Sequence, residues 1–117
     1  MIELPWPPKP LWPNFRSRTH WAKTRAAKQA RQDGNYATRS AKVGIAAGDV
    51  PVLLQATFYP PDRHKRDEDN CSASLKSYAD GIADALGIND NAFRFARPII
   101  GDVVKGGKVV VTIGGGS

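Results

Sequence analysis

The stretch VLLQATFY, residues 52–59, decides the fold. It is dense in apolar and aromatic residues, and Pro60 and Pro61 stop it. A short apolar run that ends at prolines predicts a buried β-strand. The chain then continues as DRHKRDEDN, residues 62–70, in which basic residues precede an acidic cluster of Asp67, Glu68 and Asp69. The strand therefore leads directly into the most highly charged part of the sequence.

Helical patterns lie on both sides of this strand. After it, apolar residues recur at steps of three and four from Cys71 to Leu86, which predicts an amphipathic helix that ends at Gly87. Before it, residues 19–47 are rich in Ala, Lys, Arg and Gln, which are good helix formers. They predict one long helix or two, with a break or bend at Gly34.

Further strands are predicted near both ends of the chain. Residues 2–6 read as a short strand, and the prolines that follow predict a rigid extended loop. Residues 93–104 and 108–113 flank the turn KGGK and predict a hairpin. The order of elements predicts an α/β (α+β) fold, a small mixed sheet packed with helices, in one domain over residues 1–113. Residues 114–117 are expected to form a flexible Gly-rich tail.

Charge, hydropathy and cysteine content restrict the classes of function that the protein can have. The 117 residues carry a net charge of +6, and the surplus is N-terminal, since residues 1–50 hold nine Lys or Arg against three acids. This layout favours a polyanionic partner, although a solvated basic helix face is the alternative. No apolar run is long enough for a membrane span, and no secretory signal begins the chain, so a cytoplasmic protein without a membrane partner is expected. The single cysteine, Cys71, argues against zinc and thiol chemistry.

Asp67 and Asp69 are candidate metal ligands. On an extended segment they project to the same side, where their repulsion is relieved by a cation. Oxygen ligands without His or Cys partners favour Mg²⁺, which uses one or two carboxylates together with substrate phosphate. The alternative is that either aspartate simply caps the helix that follows.

The same helix places three charged residues on one stripe. At about 100° per residue, Asp69, Lys76 and Asp80 lie on one side, away from the apolar residues. One ammonium group and two carboxylates would therefore point at the same place. The alternative is a surface ion pair between Lys76 and Asp80, spaced i and i+4.

Basic side chains precede the acidic cluster in the sequence and recur along the N-terminal half. A phosphodiester that approaches a carboxylate site needs such charge, and aromatic residues at positions 12, 15, 20 and 21 are available to stack or wedge. For Trp6 and Trp21 the alternative is packing in the core or an interface. The candidate DNA-binding residues are Arg16, Arg18, Lys23, Arg25, Lys28, Arg63, Lys65 and Arg66.

The ordered motifs LPWPP, PNFRSRTHW, PPDRHKRDEDN, LKSYADGIADALG and NDNAF resemble those of the RusA-type Holliday junction resolvases, which are phage-associated endodeoxyribonucleases. The resemblance runs from about residue 3 to 113. It implies a RusA-like homodimer that uses Mg²⁺, and no small-molecule cofactor, to cut four-way DNA junctions by paired symmetric nicks in recombination and repair.

The resemblance also implies roles for individual residues. Asp67 and Asp69 match its paired metal-binding aspartates, Lys76 its catalytic lysine, and Asp90 the acidic turn that completes the metal site. Two features depart from the family pattern: Lys76 lies about one helical turn further from the aspartates, and Asn91 follows Asp90 where members often have a second aspartate. The alternatives are a weakly active homologue and a non-catalytic nucleic-acid-binding module.

Overall fold

A computed structural model of the chain describes residues 1–13, 21–42 and 51–115. Its elements are β1 (Ile2–Pro5), α1 (Trp21–Ser40), β2 (Val52–Tyr59), α2 (Glu68–Leu86), β3 (Phe93–Phe95), β4 (Ile99–Ile100) and β5 (Lys108–Gly115). Short 3-10 turns, Lys9–Leu11 and Asp90–Ala92, precede α1 and β3. The predicted α/β class is confirmed, and β2 has the predicted bounds.

The sheet is mixed, as predicted, with the order β1-β5-β2-β3. β5 is antiparallel to both β1 and β2, whereas β3 and β4 pair in parallel with β2. The predicted hairpin between residues 93–104 and 108–113 is therefore wrong, because β2 lies between these segments. The chain returns from β2 through α2 to β3, and such a helical crossover joins parallel neighbours. Gly106 and Gly107 do take the predicted positive φ angles, 79° and 69°.

β5 is longer than its apolar sequence indicates. Gly114 pairs with Leu53 and Gly115 with Val52, so the strand matches the full length of β2. Two residues assigned to the flexible tail therefore belong to the sheet. Pairing with a partner strand sets this boundary, and glycines carry no side-chain signal that would reveal it.

Alternation along β2 builds the core. Val52, Leu54, Ala56 and Phe58 are buried on the face that packs with the apolar face of α2. On α2 the buried face includes Leu75, Tyr78 and Ile82, and Gly87 ends the helix in the left-handed conformation at φ 72°. The predicted amphipathic helix and its glycine stop are confirmed.

α1 runs without interruption through Gly34, so the predicted break there is wrong. Gly34 is buried where α1 crosses α2, and a β-carbon at this position would lie 3.2 Å from the α-carbon of Tyr78. The glycine is thus explained by close helix packing rather than by a bend. Both ends of the predicted helical region, residues 19 and 47, lie outside the described residues.

The described helices are too short or too polar to span a membrane. Among the described residues, none of them is both long and apolar enough to cross a bilayer. α1 instead carries a basic outer surface, which bears on the candidate site.

Candidate functional site

Three loops meet at one edge of the sheet, where Pro5 and Tyr59 both pair with Lys108. Trp6 continues directly from Pro5, and Pro60 continues directly from Tyr59. Gly107 leads into Lys108 from the other side. The shared end of these three strands is called the Lys108 edge below. It brings the N-terminal tryptophan and proline loop beside the charged segment that precedes α2.

Asp62 organises the charged segment. Its Oδ1 accepts hydrogen bonds from Arg66 Nη2 at 2.7 Å and from the His64 amide at 3.0 Å, and it lies 3.1 Å from His64 Nδ1. The side-chain hydrogen bond from Arg66, together with the His64 amide, holds the pKa of Asp62 below its usual range. The segment is thus a defined loop that is folded around one carboxylate.

Arg66 forms hydrogen bonds within this loop and a cation–π contact with the neighbouring ring of Trp6. Its Nη1 donates to the His64 carbonyl at 2.7 Å, and its guanidinium carbon lies 5.1 Å above the ring of Trp6. Only 16% of its side chain is exposed. Arg63 and Lys65 are exposed. Of the three predicted phosphate contacts in this loop, these two present their charge to solvent.

Asp67 is the N-cap of α2. It has extended backbone angles, φ −84° and ψ 133°, and its Oδ1 accepts a hydrogen bond from the Asp69 amide at 2.8 Å. The capping alternative is therefore confirmed for Asp67. One carboxylate oxygen is used in this way, and the side chain remains exposed. Glu68 instead pairs with Arg97, Nε to Oε2 at 2.7 Å, which ties the start of α2 to the segment after β3.

The predicted charged stripe faces away from the core. Asp69 and Lys76 are exposed and Asp80 is half-buried, whereas Leu75 and Tyr78 are buried. Lys76 lies seven residues after Asp69, which is roughly 10 Å along the helix axis. Asp69 and Lys76 thus share one exposed side of α2, whereas Asp67 precedes the helix as its N-cap.

Asp90 lies at the other end of α2. Only its backbone is described, in the 3-10 turn before β3, and the Ile88 amide is hydrogen-bonded to the Ala83 carbonyl at the end of the helix. The 19 residues of α2 rise roughly 28 Å. The fold of one chain therefore separates the backbone of Asp90 from Asp67 and Asp69, contrary to the expectation that it brings them side by side. Within the described residues, no group of three or more Asp, Glu, His and Cys could hold a metal ion.

Three more of the predicted DNA-binding residues lie on the basic surface of α1. Lys23, Arg25 and Lys28 are exposed. Arg16 and Arg18 lie outside the described residues, as do Phe15 and His20. One turn after Lys28, Arg31 donates from Nε and Nη2 to the two carboxylate oxygens of Asp84, at 2.6 and 2.9 Å, and so joins α1 to α2.

The chain is similar to a known protein. A scan against protein-family models finds no match. The chain is 45% identical over 120 residues to a protein of Xylella fastidiosa (strain Temecula1 / ATCC 700964), and the match covers 97% of this chain and 75% of the relative. The chain belongs to the family of this Xylella protein. Because the relative is described as an uncharacterized protein, the shared family assigns no activity.

The residues that contact the charged segment in this member of the Xylella protein's family could not be predicted from the sequence. Asp62 carries no motif that marks it as the centre of a loop. The signal that places these residues is strand register, since Pro5, Tyr59 and Lys108 align only once the sheet is assembled. Trp12 was predicted as a residue available for stacking. Its position beside Trp6, at 5.5 Å between ring centroids, depends on the fold and could not be predicted.

Proposed function

We propose that this chain is a Mg²⁺-dependent, structure-specific endodeoxyribonuclease of the RusA type, a homodimer that resolves four-way DNA junctions by paired symmetric nicks in recombination and repair. The single observation that carries the proposal is the exposed Asp67 and Asp69 pair, which follows exposed Arg63 and Lys65 in the chain and of which Asp69 shares one side of α2 with Lys76. Ligands for a hard cation and for a phosphate are thus adjacent. The ordered RusA-like motifs supply the reaction class.

The donor set fits magnesium in part. Asp67 keeps one oxygen outside its cap hydrogen bond, and Asp69 is exposed, so two carboxylates are available, which is the number Mg²⁺ usually takes beside substrate phosphate. When bound, the ion would lower the pKa of a coordinated water and neutralise charge on the phosphate. In this proposal Arg63 and Lys65 hold the DNA backbone, and Lys76 stabilises the charge that develops on phosphate or leaving oxygen.

Asp90 enters the proposal through a second copy of the chain. Because α2 separates it from the aspartate pair in one chain, a site that combines all three carboxylates needs Asp90 from the partner. A junction with two-fold symmetry also needs two equivalent sites, which an isologous dimer supplies. The proposed role of Asp90 therefore depends on dimer formation.

An apolar sheet edge supports the dimer. Phe95, Ile99, Ile100 and Val103 are 51%, 51%, 43% and 47% exposed, and they lie in or beside β3 and β4. Exposed apolar edge strands of this kind invite pairing with another chain. We assign the subunit contact to this edge, which leaves the Lys108 edge and α1 accessible to DNA.

A second candidate is a non-catalytic nucleic-acid-binding module. The observation in its favour is the cap itself, since a carboxylate that accepts from a helix amide has a structural reason to be present without a metal. This module would use the same basic surface, but it would bind junctions without cutting them and without any response to EDTA.

A nicking assay on synthetic four-way junctions separates the two candidates. With Mg²⁺, wild-type protein is expected to nick opposing strands, and Asp69→Asn is expected to abolish nicking while leaving binding intact or stronger, because a repulsive charge is removed. Glu3→Gln is the matched control, since Glu3 is an exposed carboxylate on β1. Binding without Mg²⁺-dependent nicking by wild-type protein would favour the module, and full nicking by Asp69→Asn would refute the metal assignment.

A further inference from the structure

The Lys108 edge forms a groove of about 890 Å³, and its described lining includes neither the aspartate pair nor Lys76. One wall is the N-terminal loop, with Trp6, Lys9 and Trp12, and the other is the segment from Pro61 to Arg66. Gly106 closes it from the turn before β5. Ligand-binding clefts typically measure about 300 to 1,000 Å³, so the groove has the size of a small ligand.

The aromatic wall is rigid. The ring of Trp6 packs edge-on against Phe58 at 5.9 Å between centroids and is tilted by 32° from Trp12. Trp12 Nε1 donates a hydrogen bond to the Pro7 carbonyl at 3.0 Å, which fixes the orientation of the indole. Both tryptophans are only half-buried. The groove therefore presents flat aromatic surface that loses little conformational entropy when a ligand stacks on it.

Gly107 shows how closely the groove is built. Its φ is 69°, and a β-carbon there would lie 3.0 Å from the Cβ of Trp6 and 3.0 Å from the Cδ of Pro61. The two walls thus approach each other through a position that only glycine fills without strain. This contact explains the second glycine of KGGK beyond the needs of the turn.

The rim of the groove is positively charged. Asp62, the acidic residue in its lining, is already paired with Arg66 and lies beside His64. Lys9 and Lys65 are exposed on opposite walls. The groove therefore combines ring faces with cations on both sides, which is the chemistry that binds single-stranded nucleic acid, whose bases stack and whose phosphates pair with basic groups.

We propose that this groove binds an unpaired nucleobase of DNA and its flanking phosphates, with the base stacked on the indole of Trp12 and the phosphates held by Lys9 and Lys65. The inference rests on the proposed function only in taking DNA as the ligand. It adds that the substrate exposes single-stranded bases, as a branch point does when its pairs open. The groove lies beside the acidic cluster in the chain, so a captured strand would be guided past Asp67.

Two probes of equal charge test the stacking step. The affinity of an octathymidylate is compared with that of an abasic octamer by fluorescence anisotropy, in EDTA so that cleavage does not enter. Stacking of one base on an aromatic residue changes affinity by about 5- to 150-fold. We expect wild-type protein to prefer octathymidylate by about tenfold or more. Equal affinity for the two probes would overturn the proposal without any variant.

Three variants assign the binding to the groove. Trp12→Ala is expected to lower the preference for bases at least about fivefold, whereas Lys65→Ala weakens both probes by a similar factor. Tyr36→Ala is the control, because Tyr36 is 75% exposed on α1 and lies outside the groove lining. An unchanged preference in folded Trp12→Ala, checked by circular dichroism, would overturn the proposal.

The remaining outcomes separate this inference from the proposed function. If base preference depends on Trp12 but no junction is nicked under any condition, the groove is confirmed and the nuclease proposal fails. If junctions are nicked but Trp12→Ala keeps its base preference, the nuclease stands and the groove is refuted. Displacement of octathymidylate by an equal concentration of a proline-rich peptide would assign the groove to a peptide. This result would also refute the proposal that the groove binds a nucleobase.

Discussion

Gly81 in α2 packs directly against the backbone of Arg31 in α1. A β-carbon on Gly81 would lie 2.8 Å from the Arg31 carbonyl carbon and 2.8 Å from the Asn35 amide nitrogen. Because Gly34 makes the matching contact with Tyr78, the two helices cross glycine to backbone in both directions. The separation of α1 and α2 is thus set by two residues that have no side chain, and their charged outer faces are held in a fixed relation.

Gly81→Ala is expected to destabilise the protein. The new methyl group meets backbone atoms that cannot move aside, and overpacking of this kind costs about 1 to 3 kcal/mol or more in the free energy of unfolding. Gly114→Ala is the control, since no atom lies within 4 Å of a β-carbon built there. Urea denaturation followed by circular dichroism measures both. Equal stability of the two variants would contradict the proposed close crossing.

Local sequence patterns predicted the elements of this fold better than their pairing. β2 and α2 were predictable because Pro60 and Gly87 mark their ends by steric rules that act within a few residues. The hairpin was predicted wrongly because KGGK is a sound turn whose flanking segments pair with β2 instead of each other. Gly34 was taken for a bend because close contact with another helix leaves no mark in the local sequence.

The cap of α2 gives a prediction that separates stability from metal binding. Asp67→Ala removes the acceptor of the Asp69 amide and should lower the free energy of unfolding by about 0.5 to 2 kcal/mol, whereas Asp67→Asn, which also caps well, should stay within about 0.5 kcal/mol of wild type. Under the proposed function both variants lose Mg²⁺ binding, measured by calorimetry with junction DNA. Unimpaired Mg²⁺ binding by Asp67→Asn would reduce the residue to its structural role.

The candidate site shows where prediction from sequence ended. Asp69 and Lys76 were placed correctly on an exposed face because helical periodicity alone fixes that relation. The extended segment predicted for Asp67 and Asp69 is wrong, because Asp67 caps α2 and Asp69 lies in its first turn. The relation of Asp90 to the pair was not fixed by periodicity, since it depends on how a whole helix and a strand crossover return the chain. The groove of Trp6 and Trp12 depends on three loops that only the register of β1, β2 and β5 brings together.

The ion pair between the helices gives a dependence on pH. The two hydrogen bonds from Arg31 hold the pKa of Asp84 below its ordinary value of 3.8. The stabilisation is therefore present above about pH 4 and is lost as the pH falls through the lower folded-state value. Both side chains are substantially exposed, 57% and 39%, so the effect is at most about 1 kcal/mol.

Asp84→Asn tests this contribution. Its free energy of unfolding should fall below wild type at pH 7 and converge with it under strongly acidic conditions, as measured by urea denaturation over a pH series. Asp102→Asn, at an exposed position after β4, controls for the loss of one negative charge from the chain. A deficit in Asp84→Asn that persists in acid would show that the carboxylate acts by packing and not by its charge.

Cys71 is expected to be inert in the folded protein. It is fully buried, and burial raises the pKa of its thiol to about 11. At pH 8 only about one thiol in a thousand is then ionised, and the thiolate is the reactive form. Iodoacetamide at pH 8 should label urea-unfolded protein fully and native protein only through unfolding, as read by mass spectrometry. Rapid labelling of native protein would contradict this burial and reopen thiol chemistry.

The apolar edge at β4 predicts the behaviour of the proposed dimer. If Ile99 lies in the subunit contact, Ile99→Lys buries an unpaired charge there, and the chain should change from twice its mass of 12.7 kDa to a monomer in light scattering. Tyr36→Lys is the control, because Tyr36 is another large exposed residue, 75% accessible, but lies on α1.

Since the proposed site needs Asp90 from the partner, Ile99→Lys should also lose paired nicking while keeping the Trp12-dependent preference for bases. A wild-type chain that is monomeric both alone and on junction DNA would remove Asp90 from the site and leave the aspartate pair as its only carboxylates.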